Sequence, residues 1–209
     1  MNALLYPITF WSFRREFQLV VFTFLIFLSL PIIAVFVLVN TGINIVSDAL
    51  IGTNPETQSI VIKNPADGSV FAEITKQVVW PVQGVITLEF AQSSMYQTFH
   101  TGIDIANPHG QVGDPITPFM DGVVTYAGEI FWGFGKHVMI DHGDNISSVY
   151  AHLDRIYVYQ GQEVVIGDTL GTMGSTGWST GPHLHFEIRV FGVPVNPRVV
   201  LGEKSHDTN

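Results

Sequence analysis

Two histidines separated by a single residue stand in the stretch TGPHLHFEI, and their spacing could support chemistry. Successive side chains of a β-strand point to opposite faces, so His183 and His185 would share one face, while Leu184 and Phe186 would point into a core. Two neighbouring imidazoles could be metal ligands, acid–base groups or two satisfied polar residues. The stretch alone leaves these three alternatives open.

A second group with ligand chemistry is HTGID, which runs from His100 to Asp104. Residues four apart in a straight strand lie about 13 Å from each other, so these two side chains can meet only if the chain bends between them. Gly102 allows that bend. Two imidazoles and a carboxylate suit zinc, and three protein ligands leave a fourth tetrahedral position open for water, as in catalytic sites. The sequence has no HExxH motif that would add a glutamate base, so histidines would take that role.

The elements that must position these residues are β-strands. From about Val78 onward, short β-prone runs alternate with turn residues at intervals of about 8–12 residues, which is typical of an all-β sandwich or barrel. The runs are VITLEF, GVVTYAG, KHVMIDHG, SSVYAHL, RIYVYQGQEVV and HLHFEIRVFG. We therefore expect an antiparallel, sandwich-like β domain with an open groove.

An apolar segment near the N-terminus predicts one transmembrane helix. Residues 17–38 are almost entirely apolar and would extend roughly 33 Å as a helix, close to the thickness of a bilayer core. Arg14 and Arg15 precede the segment and no basic residue follows it before Lys63, which places the N-terminus in the cytoplasm and the rest outside. The alternatives are a buried core helix and a signal peptide cleaved near the SDA stretch that begins at Ser47.

These patterns predict the organisation of the whole chain. The predicted parts are a cytoplasmic N-terminus (1–16), a transmembrane anchor (17–39), a connector (40–77), a β domain (78–202) and a polar tail (203–209). The chain has no cysteine, which excludes cysteine catalysis and thiolate metal sites. Its net charge of −9 argues against nucleic acid as a partner, because nucleic-acid recognition needs a basic surface.

The stretches HTGIDIA, YAHL and GSTGWSTGPHLHFEI, in this order, resemble the LytM/lysostaphin-type zinc metallopeptidases, which cut peptide bridges in bacterial cell walls. The resemblance runs from about Val82 to Leu201 and includes DGVVTYAG, VMIDHGD and VNPRVVL. The chain departs from the family in FAQSS, where the family usually has Phe-Gly followed by Arg, and in TPFMDG. These departures bear on the groove and its specificity.

The resemblance implies that His100, Asp104 and His185 bind one zinc ion, and that His152 of YAHL and His183 flank the water and the scissile carbonyl. Spacing alone does not say which member of the HLH pair binds metal. Zinc would make hydroxide available near neutral pH and polarise the amide carbonyl. One of His152 and His183 would accept the water proton, while the other would stabilise the oxyanion or protonate the leaving amine. The sequence does not assign the two roles.

Several other residues near these motifs receive expectations. His142 is interpreted as a structural residue at a strand end, and His109 as an exposed loop residue. Glu187 is expected on the face opposite the histidine pair, in a structural role. Trp178 could contact substrate from the groove wall, and Tyr96 could assist the oxyanion.

The resulting hypothesis is a zinc endopeptidase that is anchored in the cytoplasmic membrane by one helix and cleaves peptidoglycan peptides outside it. The alternatives are a non-catalytic module that binds the wall or activates other hydrolases, and a structural subunit of an envelope-spanning apparatus. Expected partners are peptidoglycan, the membrane and unidentified envelope proteins. Glycine bridges and meso-diaminopimelate crosslinks both remain open as the bond that is cut.

Overall fold

The computed structural model describes residues 10–57, 59–75, 77–94 and 99–202, and its first element is a long helix, α1 (Phe10–Leu50). The segment Glu16–Leu50 of this helix is long and apolar enough to cross a membrane. Its most apolar window of 18 residues has a mean hydropathy of 2.9 and is not buried. A helix in a soluble core would bury such side chains, so the burial pattern does not favour that alternative. A signal sequence has a similar composition.

The chain divides into two compact units, Met1–Thr41 and Gly42–Asn209, and the described strands all belong to the second. The predicted connector, 40–77, holds more regular structure than we expected. It contains the last turns of α1 and an antiparallel three-stranded sheet made of β1 (Ile51–Thr53), β2 (Ile60–Lys63) and β3 (Val70–Ile74). The apolar run SIVIK supplies β2, the central strand of this sheet.

The rest of the second unit is built mainly of antiparallel strands. The remaining elements are β4 (Val85–Leu88), β5 (Ile103–Ala106), β6 (Pro115–Ile116), β7 (Gly122–Ile130), β8 (Gly135–Gly143), β9 (Ile146–Ala151), β10 (Leu153–Ile156), β11 (Glu163–Val164), β12 (Gly171–Met173), β13 (His183–Val190), β14 (Val193–Val195) and a short helix α2 (Pro197–Leu201). An eight-stranded sheet has the order β11-β7-β8-β9-β13-β5-β4, with β14 also paired to β13, and a small sheet has the order β10-β12-β6. The predicted antiparallel β domain preceded by one apolar helix is confirmed.

The register of the large sheet brings the sequence motifs together. Strand β13, which carries HLHFEI, lies between β5 and β9. His185 is the cross-strand partner of Asp104 on one side and of Ala151 on the other, so the three motifs meet in one row of the sheet. Side chains of directly opposite residues lie close enough to interact, which makes this row the place where the predicted site is assembled.

The alternation predicted for β13 is confirmed on its apolar side. Leu184 and Phe186 are fully buried in the hydrophobic core, where Phe186 packs against Phe119 and Tyr150 with ring centroids 5.7 and 5.3 Å away. This aromatic layer fixes the strand that presents the histidines on its other face. The histidine side of the strand is therefore a rigid platform.

Candidate metal centre

Three side chains converge where β5 and β13 pair. His100 Nε2 lies 2.8 Å from His185 Nδ1 and 2.9 Å from Asp104 Oδ1, and His185 Nδ1 lies 2.9 Å from the same carboxylate oxygen. These three are the residues predicted as ligands, and the structure places one ligand atom from each within reach of a single ion. Their identity as ligands stays a prediction.

The bend between His100 and Asp104 depends on Gly102. His100 precedes β5 and Asp104 lies within it, so the chain turns into the strand between them. A Cβ on Gly102 would lie 2.2 Å from the backbone oxygen of Phe186, which is impossible without moving β13. Glycine is needed here because the two backbones approach so closely.

Each imidazole of the candidate cluster has its second nitrogen hydrogen-bonded to a partner behind the cluster. His100 Nδ1 donates to the backbone carbonyl of Glu89 at 3.2 Å, and His185 Nε2 donates to Glu187 Oε1 at 3.0 Å. Such outer partners fix the tautomer and the ring orientation of metal-binding histidines. The nitrogens that face the centre, His100 Nε2 and His185 Nδ1, are the ones left to bind.

The electrostatics of the cluster favour charged carboxylates around His185. Burial opposes ionisation of Asp104, but hydrogen bonds with His100 and His185 outweigh it and hold the pKa of this carboxyl well below its usual range. Burial also disfavours protonation of His185, but Asp104 and Glu187 on its two sides raise the pKa of that imidazole to about 9. A cation between the carboxylates is therefore favourable, and a metal ion at Nδ1 would displace the proton held there.

The cluster fits zinc by its donor set. It offers two imidazole nitrogens and one carboxylate oxygen, which are ligands that zinc commonly accepts. Among the described residues no fourth side chain belongs to this group of candidate ligands, and Asp104 and His185 face the groove. Ligand atoms around tetrahedral zinc lie roughly 3.3 Å apart, given bonds of about 2.0–2.1 Å. The observed separations of 2.8–2.9 Å need to widen only slightly to reach that spacing.

His152 lies beside the cluster in an unusual backbone conformation. It follows β9 with φ = 62°, in the left-handed region that side-chain-bearing residues rarely adopt, and its amide donates to the carbonyl of Phe134 at 2.9 Å. Its Nδ1 donates to the carbonyl of Thr176 at 2.8 Å, which leaves Nε2 for the groove. Burial and then the neighbouring His183 and His185 lower the pKa of His152 to about 4, so the imidazole is neutral at pH 7.

His183 completes the site from the start of β13. Its Nδ1 donates to the carbonyl of Gly181 at 2.8 Å, and its Nε2 lies 3.6 Å from Asp104 Oδ2, at the edge of the ligand cluster. The rings of His152 and His183 are adjacent, with centroids 4.7 Å apart. The structure therefore brings both predicted catalytic histidines next to the predicted ligands.

One open groove of about 430 Å³ is lined by four of the five predicted site residues: Asp104, His152, His183 and His185. One wall is formed by the loop 174–182, and Trp178 in this loop is 69% exposed while lining the groove. The other groove residues are Thr87, Leu88, Ser94, Ser179 and Thr180. An exposed aromatic ring beside convergent polar groups is a suitable contact for a substrate chain.

The structure corrects one expectation and extends others. Glu187 does not lie opposite the histidine pair; it lies on the same face, because residues two apart in a strand share a face, and this alternation could have been read from the sequence. The carbonyls of Thr176 and Gly181 that hold His152 and His183 were also missed, because backbone groups leave no pattern of residue types. Tyr96 lies outside the described residues.

The remaining histidine expectations agree with the structure. His142 is the last residue but one of β8 and is buried, with Nδ1 2.9 Å from the carbonyl of Asp121 and Nε2 2.7 Å from Ser148 Oγ. These contacts lie on the core side of the sheet and have no part in the groove. His109 is exposed in a loop.

Comparison with known proteins places this site within a family. The family model described as Peptidase family M23 matches residues 98–197. The DD-carboxypeptidase/endopeptidase Mpg of Neisseria meningitidis is 48% identical over 98 residues, which is 47% of this chain and 22% of that protein. The murein hydrolase activator NlpD of Escherichia coli is 43% identical over 125 residues, which is 60% of this chain and 31% of that protein. The chain thus spans less than a third of either relative.

Among solved structures, a zinc-containing peptidase from Vibrio cholerae superimposes with a TM-score of 0.54 at 29% identity, over 66% of this chain and 45% of that one.

Proposed function

Because the chain contains a peptidase family M23 domain, we propose that it is a zinc-dependent endopeptidase that hydrolyses peptide crosslinks of bacterial peptidoglycan. The observation that carries the proposal is the complete five-residue site. The cluster of His100, Asp104 and His185 and the pair of His152 and His183 meet at one groove.

Zinc held by the three ligands would supply a Lewis acid for the amide carbonyl and a hydroxide near neutral pH. The chain's own residues would do the rest. Asp104 keeps its negative charge at pH 7 because hydrogen bonds with the two histidines outweigh its burial, and it brings a full charge to the cation. The backbone carbonyl of Glu89 and the carboxylate of Glu187 would hold the two imidazoles in the orientation that the ion needs.

His152 and His183 would move the protons. The neutral Nε2 of His152 accepts a proton from the attacking water or stabilises the developing oxyanion once it is protonated, and His183 takes the complementary role. Both imidazoles are held through Nδ1 by carbonyls of the loop 174–182, so in both the nitrogen left for proton transfer is Nε2. The groove and Trp178 would orient the substrate peptide against this pair.

The apolar helix would anchor the enzyme. We propose that Glu16–Leu50 contains a single transmembrane span with the N-terminus in the cytoplasm, so that the β domain acts outside the cytoplasmic membrane, in the periplasm or facing the wall. At about 1.5 Å per residue the segment is longer than a bilayer core, so only part of it would lie within hydrocarbon. The anchor would restrict cleavage to the wall within reach of the membrane, and other envelope proteins are candidate partners.

A second candidate function is a non-catalytic activator of other wall hydrolases. The observation that favours it is the 43% identity to a protein named murein hydrolase activator. In that case the fold and the groove would bind a partner or the wall, and turnover would be absent. The presence of all three candidate ligands and both candidate acid–base histidines favours the enzyme.

The decisive experiment compares the full chain in detergent with its His152→Asn variant on purified sacculi, with and without a chelator. Sacculi with glycine bridges and sacculi with direct meso-diaminopimelate crosslinks are both needed, and released muropeptides are identified by mass spectrometry. Zinc-dependent release by the wild type that the substitution abolishes supports the enzyme, and the fragment masses identify the bond. A zinc-loaded wild type that releases nothing from either wall favours the activator.

A further inference from the structure

Glu187 is a fully buried carboxylate beneath the candidate metal centre. Its side chain is 0% exposed, and it lies on the same face of β13 as His185, two residues along the strand. Burying a charged carboxylate is costly unless its oxygens are paired. The partners of the two carboxylate oxygens therefore indicate why a charged residue is kept at this position.

The two oxygens of Glu187 have separate partners. Oε1 accepts from His185 Nε2 at 3.0 Å and from the hydroxyl of Thr101. Oε2 accepts from Arg189 twice, from Nε at 2.7 Å and from Nη2 at 2.6 Å. Both oxygens thus receive hydrogen bonds, and the two from the guanidinium are those that an ionised carboxylate accepts, so Glu187 is an acceptor only.

The consequence for His185 is a fixed ring. A carboxylate can only accept, so it requires a hydrogen on Nε2, and a neutral imidazole that carries this hydrogen presents a lone pair at Nδ1. Nδ1 is the atom that lies 2.8–2.9 Å from the other two candidate ligand atoms. We propose that Glu187 is a positioning residue that holds His185 in the tautomer and orientation able to bind metal; this inference rests on the proposed zinc site.

The division of the oxygens makes a specific substitution informative. In Glu187→Gln the side chain has one oxygen acceptor instead of two, so it can accept from Arg189 or from His185 but not from both. Arg189, a charged donor of two hydrogen bonds, would take that oxygen, which turns the amide NH2 toward Thr101 and His185 Nε2. His185 would then accept at Nε2 and carry its hydrogen on Nδ1, where it blocks metal binding.

Arg189→Gln provides the matched control. It leaves Glu187 in contact with His185, so zinc affinity should change little. In the double variant Glu187→Gln/Arg189→Gln, residue 187 no longer faces a guanidinium and can turn its oxygen back to His185 Nε2. The proposal therefore predicts that the second substitution restores affinity lost in the first.

The test measures zinc affinity of the full-length chain in detergent by competition with a chromophoric chelator, together with the Co²⁺ absorption spectrum of each variant and circular dichroism as a check of folding. We expect zinc affinity to fall about 10–100-fold in Glu187→Gln, the range that loss of such outer partners usually produces. The double variant should bind more tightly than Glu187→Gln alone. A purely structural role would make the double variant no better than the single one.

Three outcomes would overturn the inference. The first is a folded Glu187→Gln variant with wild-type affinity, which leaves the proposed function intact. The second is a double variant whose loss equals or exceeds that of Glu187→Gln. The third is a wild type that binds no zinc, which also removes the proposed function. If Glu187→Gln does not fold, Glu187→Asp takes its place, because the shorter side chain withdraws the carboxylate from His185 Nε2. A folded Glu187→Asp variant with wild-type zinc affinity would contradict the proposal.

Discussion

The candidate ligands and the candidate acid–base histidines are held by different parts of the molecule. Asp104 and His185 lie on paired strands, and the imidazoles of His100 and His185 are fixed from behind by Glu89 and Glu187. His152 and His183 are instead fixed by two carbonyls of the loop 174–182. One half of the site is thus built into the sheet, and the other depends on a loop.

This difference separates metal binding from the later steps of proton transfer and substrate contact, which an activity assay alone does not distinguish. Changes in the sheet should remove the metal and with it all turnover. Changes in the loop should leave the metal bound and affect proton transfer or substrate contact. Zinc affinity measured beside hydrolysis of sacculi therefore tests the comparison directly.

The largest effect is expected from a ligand. His100→Ala removes one of the three candidate donors. The other ring nitrogen, Nδ1, is hydrogen-bonded to a backbone carbonyl, so the substitution acts mainly on the candidate metal centre. We expect zinc to be lost and hydrolysis of sacculi to disappear, as shown by metal analysis and muropeptide release. His109→Ala, at an exposed loop histidine, is the control and should keep both. Retained zinc in His100→Ala would contradict the ligand assignment.

The next effect is expected at His152. Asparagine tolerates the left-handed conformation that this residue adopts at φ = 62°, so His152→Asn removes the imidazole without adding backbone strain. We expect zinc affinity to stay near that of the wild type while the hydrolysis rate falls about 10²–10⁴-fold, the usual contribution of an acid–base group. A parallel loss of zinc would show that the two halves of the site are not separable.

A smaller effect should follow from Gly177→Ala in the loop. A Cβ at this position would lie 2.3 Å from the amide nitrogen of Gly135, and φ is +68°, so the loop must shift. The shift would move the carbonyl of Thr176 away from His152 and should slow hydrolysis roughly 10–100-fold without changing zinc affinity. Gly181→Ala in the same loop meets no atom within 4 Å and should have a much smaller effect. Equal effects would argue against loop control.

The sequence was sufficient for much of the site and of the fold. Alternating glycine-bounded runs predicted antiparallel strands, and the buried Leu184 and Phe186 confirm the orientation of β13. The bend at Gly102 followed from the distance that His100 and Asp104 must close. Residue types and spacing carry this information because strands repeat every two residues and few side chains bind metal.

Other features could not be read in the same way. The carbonyls of Thr176 and Gly181 belong to no residue type, so only coordinates reveal that they orient two histidines. The left-handed backbone of His152 is set by tertiary contacts, among them the hydrogen bond from its amide to the carbonyl of Phe134. The sheet within the connector consists of strands of three to five residues, which give weak patterns.

The pH dependence of the free energy of unfolding tests the environment of His152, the histidine held by the loop carbonyl of Thr176. In the folded protein His152 has a pKa of about 4, against about 6.5 in an unfolded chain. Between these values the unfolded state binds a proton that the folded state does not, so the free energy of unfolding falls as pH drops from about 6.5 toward 4. With chelator present, lowering the pH from 7 to 5 should cost the wild type about 2 kcal/mol more than His152→Asn. Urea unfolding of both proteins in one detergent measures this, and equal losses would refute it.

The smallest effect is expected from Trp178, which lines the groove but is not one of the candidate metal ligands. Its ring is 69% exposed, so Trp178→Ala should leave folding and zinc binding unchanged. Loss of an aromatic contact worth about 0.5–1.5 kcal/mol should raise the half-saturating sacculus concentration about 2–10-fold while the maximal rate stays nearly constant. Trp132→Ala is the matched control, since Trp132 is 75% exposed and does not line the groove. If Trp178→Ala instead lowers the maximal rate at saturation, the loop contributes to the chemical step through Trp178 as well as through its carbonyls.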